Sequence, residues 1–292
     1  MLYLVRYGEI GLKSSPVRRR LRDRLVTNIQ DSFLNEGVEC LTSAEEGRVY
    51  VRSEDHEVAS HILSRTFGVV SFSLVEECSS SIEDIKKSVM EHFKDDLKEG
   101  VSFAIRARRS GTHPYSSQDL AVELGSAVMS TFEGLSVNLT EPDLEIFVEV
   151  RGKDVYLYRE IIRGPAGLPL GSQGKVLGRV EGIKDAVSCW LMMKRGCKVH
   201  FAHRNRRDLV KVLESWDPKP RSHQVQDYSE MDDLAKKLKV EGLVFGNDID
   251  NLEFEKKEFL AIFYPIVGLS PEEISSLAGR IGLEDDSHQE TQ

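Results

Sequence analysis

The chain has 292 residues, 40% hydrophobic and 30% charged, an ordinary globular composition with length for two or three domains. No run approaches the ~20 apolar residues of a membrane-spanning helix, and the start, Met1-Leu-Tyr-Leu-Val-Arg-Tyr-Gly8, reads as a strand and not as a signal peptide, so a cytoplasmic protein without a membrane partner is expected. The net charge of −9 argues against a nucleic-acid partner, but it is unevenly spread: residues 1–24 hold seven Arg or Lys against Glu9 and Asp23, whereas 241–292 hold twelve Asp or Glu against Lys256, Lys257 and Arg280.

Leu2–Tyr7 reads as a strand and Gly8–Gly11 as a turn. A helix follows from about Pro16 to Asn35, with Leu21, Leu25, Ile29 and Phe33 on one face and Gly37 as its stop. Strands Val38–Leu41 and Arg48–Val51 flank a turn at 45–47; helix His56–Arg65 and strand Val69–Val75 complete a strand–helix–strand–strand–helix–strand order, which is ferredoxin-like. Next come a helix over Ile82–Lys98 capped by Ser80 or Ser81, strand Ser102–Arg108, helix Ser117–Phe132, and strands Val137–Leu139, Leu144–Val150 and Asp154–Glu160. Gly164–Gly171, rich in Gly and Pro, is a linker. Beyond it the pattern predicts strand Val176–Val180, helix Ala186–Arg195, strand Lys198–Ala202, helices Arg207–Ser215 and Met231–Leu238, strand Gly242–Gly246 and helix Pro271–Ile281, an alternation that makes a parallel sheet. The tail from Glu284 is polar and expected to fray. The fold class is therefore α/β with α+β, in domains 1–75, 76–163 and 172–292 joined by the linker 164–171.

The richest candidate site is Phe103-Ala-Ile-Arg-Ala-Arg-Arg-Ser-Gly-Thr-His-Pro-Tyr-Ser-Ser117. Arg106 and Arg108 share a strand face by the period of two, and Arg109 follows. A helix N-terminus with free N–H groups comes next, so phosphate oxygens suit the place, and His113 and Tyr115 are candidates to stack on unpaired bases. A solvated strand end with scattered cations is the plain alternative. Cys40, Cys78, Cys189 and Cys197 form no CxxC pair and match no zinc spacing; they are expected to be small packed side chains. His200 and His203, three apart on a strand, face opposite ways, which argues against a metal site. Trp190, Met192 and Met193 read as core, and the cations at Lys194, Arg195, Lys198, Arg204, Arg206 and Arg207 as either a solvated face or an RNA track.

The basic strand before a Ser-Ser-capped helix resembles the THUMP domain of the tRNA 4-thiouridine synthetase family. Tyr7–Lys13 with Arg18-Arg-Arg20 is similar to that family's ferredoxin-like domain, Val137–Asp143 and Ile146–Val150 to later THUMP strands, and Gly167–Gly171 to its linker. Met192–Gly196 and Ile266–Leu269 with Glu273-Ile274 resemble its catalytic domain. The resemblance implies a tRNA partner, with the THUMP domain on the acceptor-stem end, Arg106, Arg108 and Arg109 on its phosphates, and Lys13, Arg18, Arg19 and Arg20 extending the basic surface. It also implies a PP-loop domain that uses ATP with Mg. There the sequence departs from the pattern: Val180-Glu-Gly-Ile-Lys-Asp185 stands in place of Ser-Gly-Gly-x-Asp-Ser and keeps one glycine, Gly182. Glu181 would meet phosphate oxygens, and like charges ~4 Å apart at an effective dielectric of ~20 repel by roughly 4 kcal/mol. Gly182, Lys184 and Gly246 are at most a remnant nucleotide site. The family's basic helix ahead of Gly242 and its sulfur-handling cysteine are not found here, and no cysteine follows Cys197. The expectation is a tRNA-binding protein without adenylation activity of its own, with no catalytic residues and no cofactor unless the loop still takes ATP. It would serve a separate sulfur-transfer or tRNA-modification enzyme, alone or as a homodimer. The alternatives are an active ATP-dependent sulfurtransferase making 4-thiouridine and a thiamine-biosynthesis protein.

Overall fold

The computed structural model describes residues 1–45, 47–252 and 260–283. In chain order the elements are β1 (Leu2–Arg6), α1 (Ser15–Asn35), β2 (Cys40–Glu45), β3 (Arg48–Ser53), α2 (His56–Arg65), β4 (Ser71–Ser79), α3 (Ile82–Phe93), β5 (Ser102–Ser110), α4 (Ser117–Thr131), β6 (Ser136–Val137), β7 (Leu144–Arg151), β8 (Asp154–Tyr158), β9 (Ile162–Arg163), β10 (Lys175–Arg179), α5 (Ile183–Lys194), β11 (Lys198–His203), α6 (Arg207–Glu214), β12 (Arg221–Gln224), α7 (Met231–Leu238), β13 (Gly242–Val244), β14 (Ala261–Phe263) and α8 (Pro271–Ile281). The tail expected to fray lies outside the described residues. The chain divides into two units: Met1–Val5, Tyr50–Ser53 and Phe72–Ile162 form one, and Arg6–Val49, Glu54–Ser71 and Arg163–Gln292 the other.

In the first unit the strands lie in the order β3-β1-β4-β8-β7-β5-β6. The ferredoxin-like element order of the first six elements appears as expected. Strands β5 and β7 run parallel in register from Phe103↔Leu144 to Ser110↔Arg151, and β7 and β8 close a hairpin through Gly152. The apolar side chains alternate to one face: Phe103, Ile146, Val148, Val150 and Val155 meet Ile85, Val89 and Phe93 of α3 and Leu120, Leu124 and Val128 of α4. Ser116 and Asp119 cap α4 reciprocally, and Ser81 caps α3. Helix α3 ends at Phe93, short of the expected Lys98, because Asp95 and Asp96 would put negative charge on a negative helix end.

In the second unit α1 buries Leu21, Leu25, Ile29 and Phe33, the face read from the sequence. Strand β2 begins two residues later than expected: Val38 donates its N–H to Phe33 O, so it still belongs to the helix end that Gly37 closes at φ +68°. Strand β4 likewise starts at Ser71, because Val69 N–H closes a turn on Thr66 O. The third-domain sheet is fully parallel, in the order β12-β11-β10-β13-β14. Trp190, Met192 and Met193 of α5 are core, as expected, packed with Phe67, Phe201, Trp216 and Ile274. Three strands escaped the sequence reading, the two-residue β9 among them. Strand β12 is Arg-Ser-His-Gln with no apolar alternation, and β14 has three residues.

Buried Asn28 of α1 donates to Leu170 O at 3.1 Å, inside this second unit. Asn28→Ala leaves that carbonyl without its donor and should cost about 1–3 kcal/mol of unfolding free energy, measured by urea denaturation; an unchanged midpoint would mean water replaces the bond at no cost.

Candidate nucleic-acid interface

Strand β6 pairs with β5 only at Ser102↔Ser136 and Phe103↔Val137. Beyond Phe103 no strand among the described residues covers that edge of β5. A groove of about 480 Å³ lies along it, lined by Ile105, Arg106 and Arg108 of the strand, Ser117 and Gln118 of α4, and Phe147 of β7. The pleat puts Arg106 and Arg108 on the sheet face away from α4, beside Glu145 and Phe147. Arg109 turns to the other face and lies close enough to Asp119, in the first turn of α4, to help stabilise its carboxylate.

The three arginines differ in how committed they are. Arg106 Nε pairs with Glu145 at 2.7 Å, and its Nη2 donates to Leu139 O at 2.9 Å. Arg109 Nη1 donates to Gly111 O at 2.9 Å. Arg108 is exposed and has no hydrogen bond or ion pair among the described residues. Its guanidinium is therefore free to take an anion with no internal partner to displace. At the mouth of α4 the Asp119 carboxylate accepts from Ser116 N–H at 2.9 Å, and both Ser116 contacts hold its pKa below the usual carboxylate range. The sequence reading offered Tyr115 for base stacking. It is buried instead, donating its hydroxyl to Ser80 O at 3.0 Å, with burial pushing its pKa up. His113 stacks on Tyr115 at 5.6 Å and contacts Ser110 O at 3.1 Å; it is half-buried, so one side of its ring is already covered.

Lys13, Arg18, Arg19 and Arg20 lie in the second unit, at the start of α1. Lys13, Arg19 and Arg20 are exposed and carry no partner among the described residues, whereas Arg18 reaches Ser15 Oγ at 3.5 Å.

The third-domain strand order reverses between β10 and β13, and in such sheets ligands sit beyond the carboxyl ends of the strands at that point. Gly182, Lys184 and Gly246 do meet there. A Cβ on Gly246 would lie 2.3 Å from Asp185 N, so only glycine allows this approach. The residue that organises the loop is Asp185, which the sequence reading did not single out. Its carboxylate is buried and accepts from Arg179 at 3.0 and 3.2 Å, from Glu181 N–H at 3.0 Å and from Gly246 N–H at 2.7 Å. Glu181 pairs with Arg204 at 3.1 Å, which offsets the charge that it brings to the loop. Lys184 pairs with Asp248, whose carboxyl it holds below the usual range. Cys189 is buried and its thiol is pushed well up by desolvation, while Cys40, Cys78 and Cys197 are half-buried. Among the described residues no group of three or more His, Cys, Asp or Glu could hold a metal ion, and no helix is long and apolar enough to cross a membrane.

A ferredoxin-like front, a basic strand feeding a capped helix and a parallel third sheet define a THUMP-domain protein. Residues 2–73 match the ThiI ferredoxin-like domain and residues 79–160 the THUMP domain. A probable tRNA sulfurtransferase of Methanosarcina acetivorans is 31% identical over 97% of this chain and 81% of its own length; one of Methanobrevibacter smithii is 39% identical over 80% of this chain. The chain therefore belongs to the tRNA sulfurtransferase family. It spans 62% of the Methanobrevibacter smithii protein and 51% of the Methanothermobacter thermautotrophicus one. Among solved structures, PH1313 from Pyrococcus horikoshii superposes with a TM-score of 0.83 at 28% identity, covering 97% of this chain and 99% of that one. A 4-thiouridine synthetase solved as an RNA complex with bound ATP superposes at 0.78 and 22% identity, over 96% and 84%, and so shares the fold.

Asp185→Ala would strand the Arg179 guanidinium and two N–H groups together. A loss of about 3 kcal/mol in stability is expected by thermal or urea unfolding; a variant as stable as the parent would show that the knot is not structural.

Proposed function

We propose that this protein binds tRNA through the open edge of β5 and the N-terminal turn of α4, in the service of tRNA sulfur transfer, and that its own third domain does not adenylate the RNA. The observation that carries the first part is the groove itself: a strand edge left unpaired past Phe103, with Arg108 free, Arg106 beside it and a helix N-terminus on its far side. Guanidinium forks and helix N–H groups are the groups that phosphate oxygens prefer. An unpaired 3′ end is thin enough to lie along such an edge, and its phosphates would give the contact its strength. Membership in the tRNA sulfurtransferase family supports the choice of tRNA over other polyanions.

The second part rests on Asp185. The loop's N–H groups at Glu181 and Gly246, which an ATP phosphate would need, already hold a buried carboxylate, so the residues present do not fit a nucleotide triphosphate. Adenylation and sulfur delivery then fall to a separate enzyme. One observation favours the other reading, an active ATP-dependent sulfurtransferase: Gly182, Lys184 and Gly246 still converge at the strand-order reversal, where a nucleotide would sit.

Binding of tRNA measured across a salt series tests both. Arg108→Ala should lower affinity and reduce the slope of log K against log salt by roughly 1, because one fewer phosphate releases its counterion. Arg106→Ala should act less cleanly, since it also frees Glu145. ATP with magnesium should change neither the affinity nor the slope, and Glu181→Ala should leave binding as it is. A slope unaffected by Arg108→Ala removes the groove assignment; release of AMP in the presence of tRNA removes the claim about the loop.

A further inference from the structure

A second cationic cluster lies on the third-domain sheet, at the opposite end from the Asp185 loop. Strands β10, β11 and β12 are parallel neighbours with Lys175↔Lys198 and His200↔Arg221 in register. The period of two therefore sets Lys175, Lys198, His200, Arg221 and His223 on one face of three adjacent strands. Helix α7 packs on the same face farther along, where Met231 and Ala235 cover Leu177 and Ala202, and it brings Lys237 in its last turn.

Most of the charges here are positive, with Glu241 beside Lys175 at the edge of the cluster. Lys198 is neutralised by both oxygens of buried Asp217 at 2.8 and 2.6 Å, and Lys236 of α7 pairs with Asp233 at 3.5 Å. Lys175, Arg221 and Lys237 are exposed and have no partner among the described residues. Between them the two imidazoles meet edge to edge, His200 Nδ1 to His223 Nε2 at 3.1 Å, with ring planes 13° apart. Burial, then His223, Lys198, Lys175 and Arg221, brings His200 down to about 4. Burial, then Lys237 and Arg221, lowers His223. Both rings are thus neutral near pH 7, held so first by burial and then by the neighbouring positive charge. A transition-metal ion would add more positive charge to the same spot, so the local electrostatics oppose it. An anion reverses the sign of the local field and supplies acceptors for the ring N–H groups.

We propose that Lys175, Arg221 and Lys237, with the His200–His223 pair as its floor, form a binding site for a phosphate oxyanion. The source is either free phosphate or a phosphodiester of an RNA strand; the chemistry recognised is the same. The site stands apart from the β5 groove and does not rest on the reading of that groove. Because the anion favours the charged imidazoles, binding takes up protons from solvent, and affinity rises as pH falls from about 6.5 toward the His200 midpoint.

The test follows the imidazole protons of the full chain by NMR against pH, alone, with inorganic phosphate, and with a short single-stranded oligoribonucleotide. The site predicts that the midpoints of His200 and His223 both rise when the anion is present. Arg221→Gln should weaken the anion about tenfold, as loss of one charge-assisted contact does, and should keep the far-ultraviolet circular dichroism of the parent. A response to millimolar phosphate as strong as to RNA assigns free phosphate as the source. A response to the oligonucleotide at far lower concentration assigns RNA. Midpoints that neither ligand moves, or that move with zinc and with neither phosphate source, overturn the proposal.

Discussion

Among the described residues, strand β5 has a partner on both sides for two residues and on one side for the rest of its length. That asymmetry is the constraint on which the candidate interface depends. An uncovered strand edge is usually blunted by charge, because it would otherwise recruit another strand. Here the charges sit at Arg106, Arg108 and Arg109, and under the proposed function the same residues that protect the edge would attract a polyanion. The rigidity behind them comes from the in-register pairing of β5 with β7 and from the apolar contacts of α3 and α4 on the opposite face. The capping box of α4 fixes where its free N–H groups begin. A site on regular elements of this kind holds its cations in place without a ligand, which lowers the entropy lost on binding.

The third domain shows the opposite use of backbone donors. At the start of α4 the capping box takes the N–H groups of Ser116 and Asp119 and leaves those between them to a ligand; in the loop after β10 the N–H groups of Glu181 and Gly246 are closed on an internal carboxylate. Asp185 receives four hydrogen-bond contacts, two of them from one guanidinium, and so satisfies its charge while buried. The same crevice keeps the close approach of Gly246 to Asp185, which only glycine allows.

Much of this was legible in the amino-acid sequence, for identifiable reasons. Helix α1 announces itself by Leu21, Leu25, Ile29 and Phe33, and the parallel third sheet by alternating apolar runs, because burial imposes those periods. The basic strand and the Ser-Ser start of α4 are local features and survive folding unchanged. Tyr115 was misread because its ring looks the same in sequence whether it faces solvent or packs under a loop. Strand β12 was missed because a polar edge strand needs no alternation, and β14 because three residues carry no period. Asp185 and the His200–His223 pair depend on contacts between distant segments, 61 residues apart for Asp185 with Gly246 and 23 for the imidazoles. No window along the chain contains that information. Reasoning from His200 and His203 alone looked along one strand, when the partner lay on the neighbouring one.

The most direct test of the central claim is amide hydrogen exchange of the full chain with and without bound tRNA. The account predicts that protection on binding concentrates between Ile105 and Leu120, the open edge of β5 and the first turn of α4. Protection confined to residues 172–283, with the amides from Ile105 to Leu120 exchanging as they do in the free protein, would contradict it.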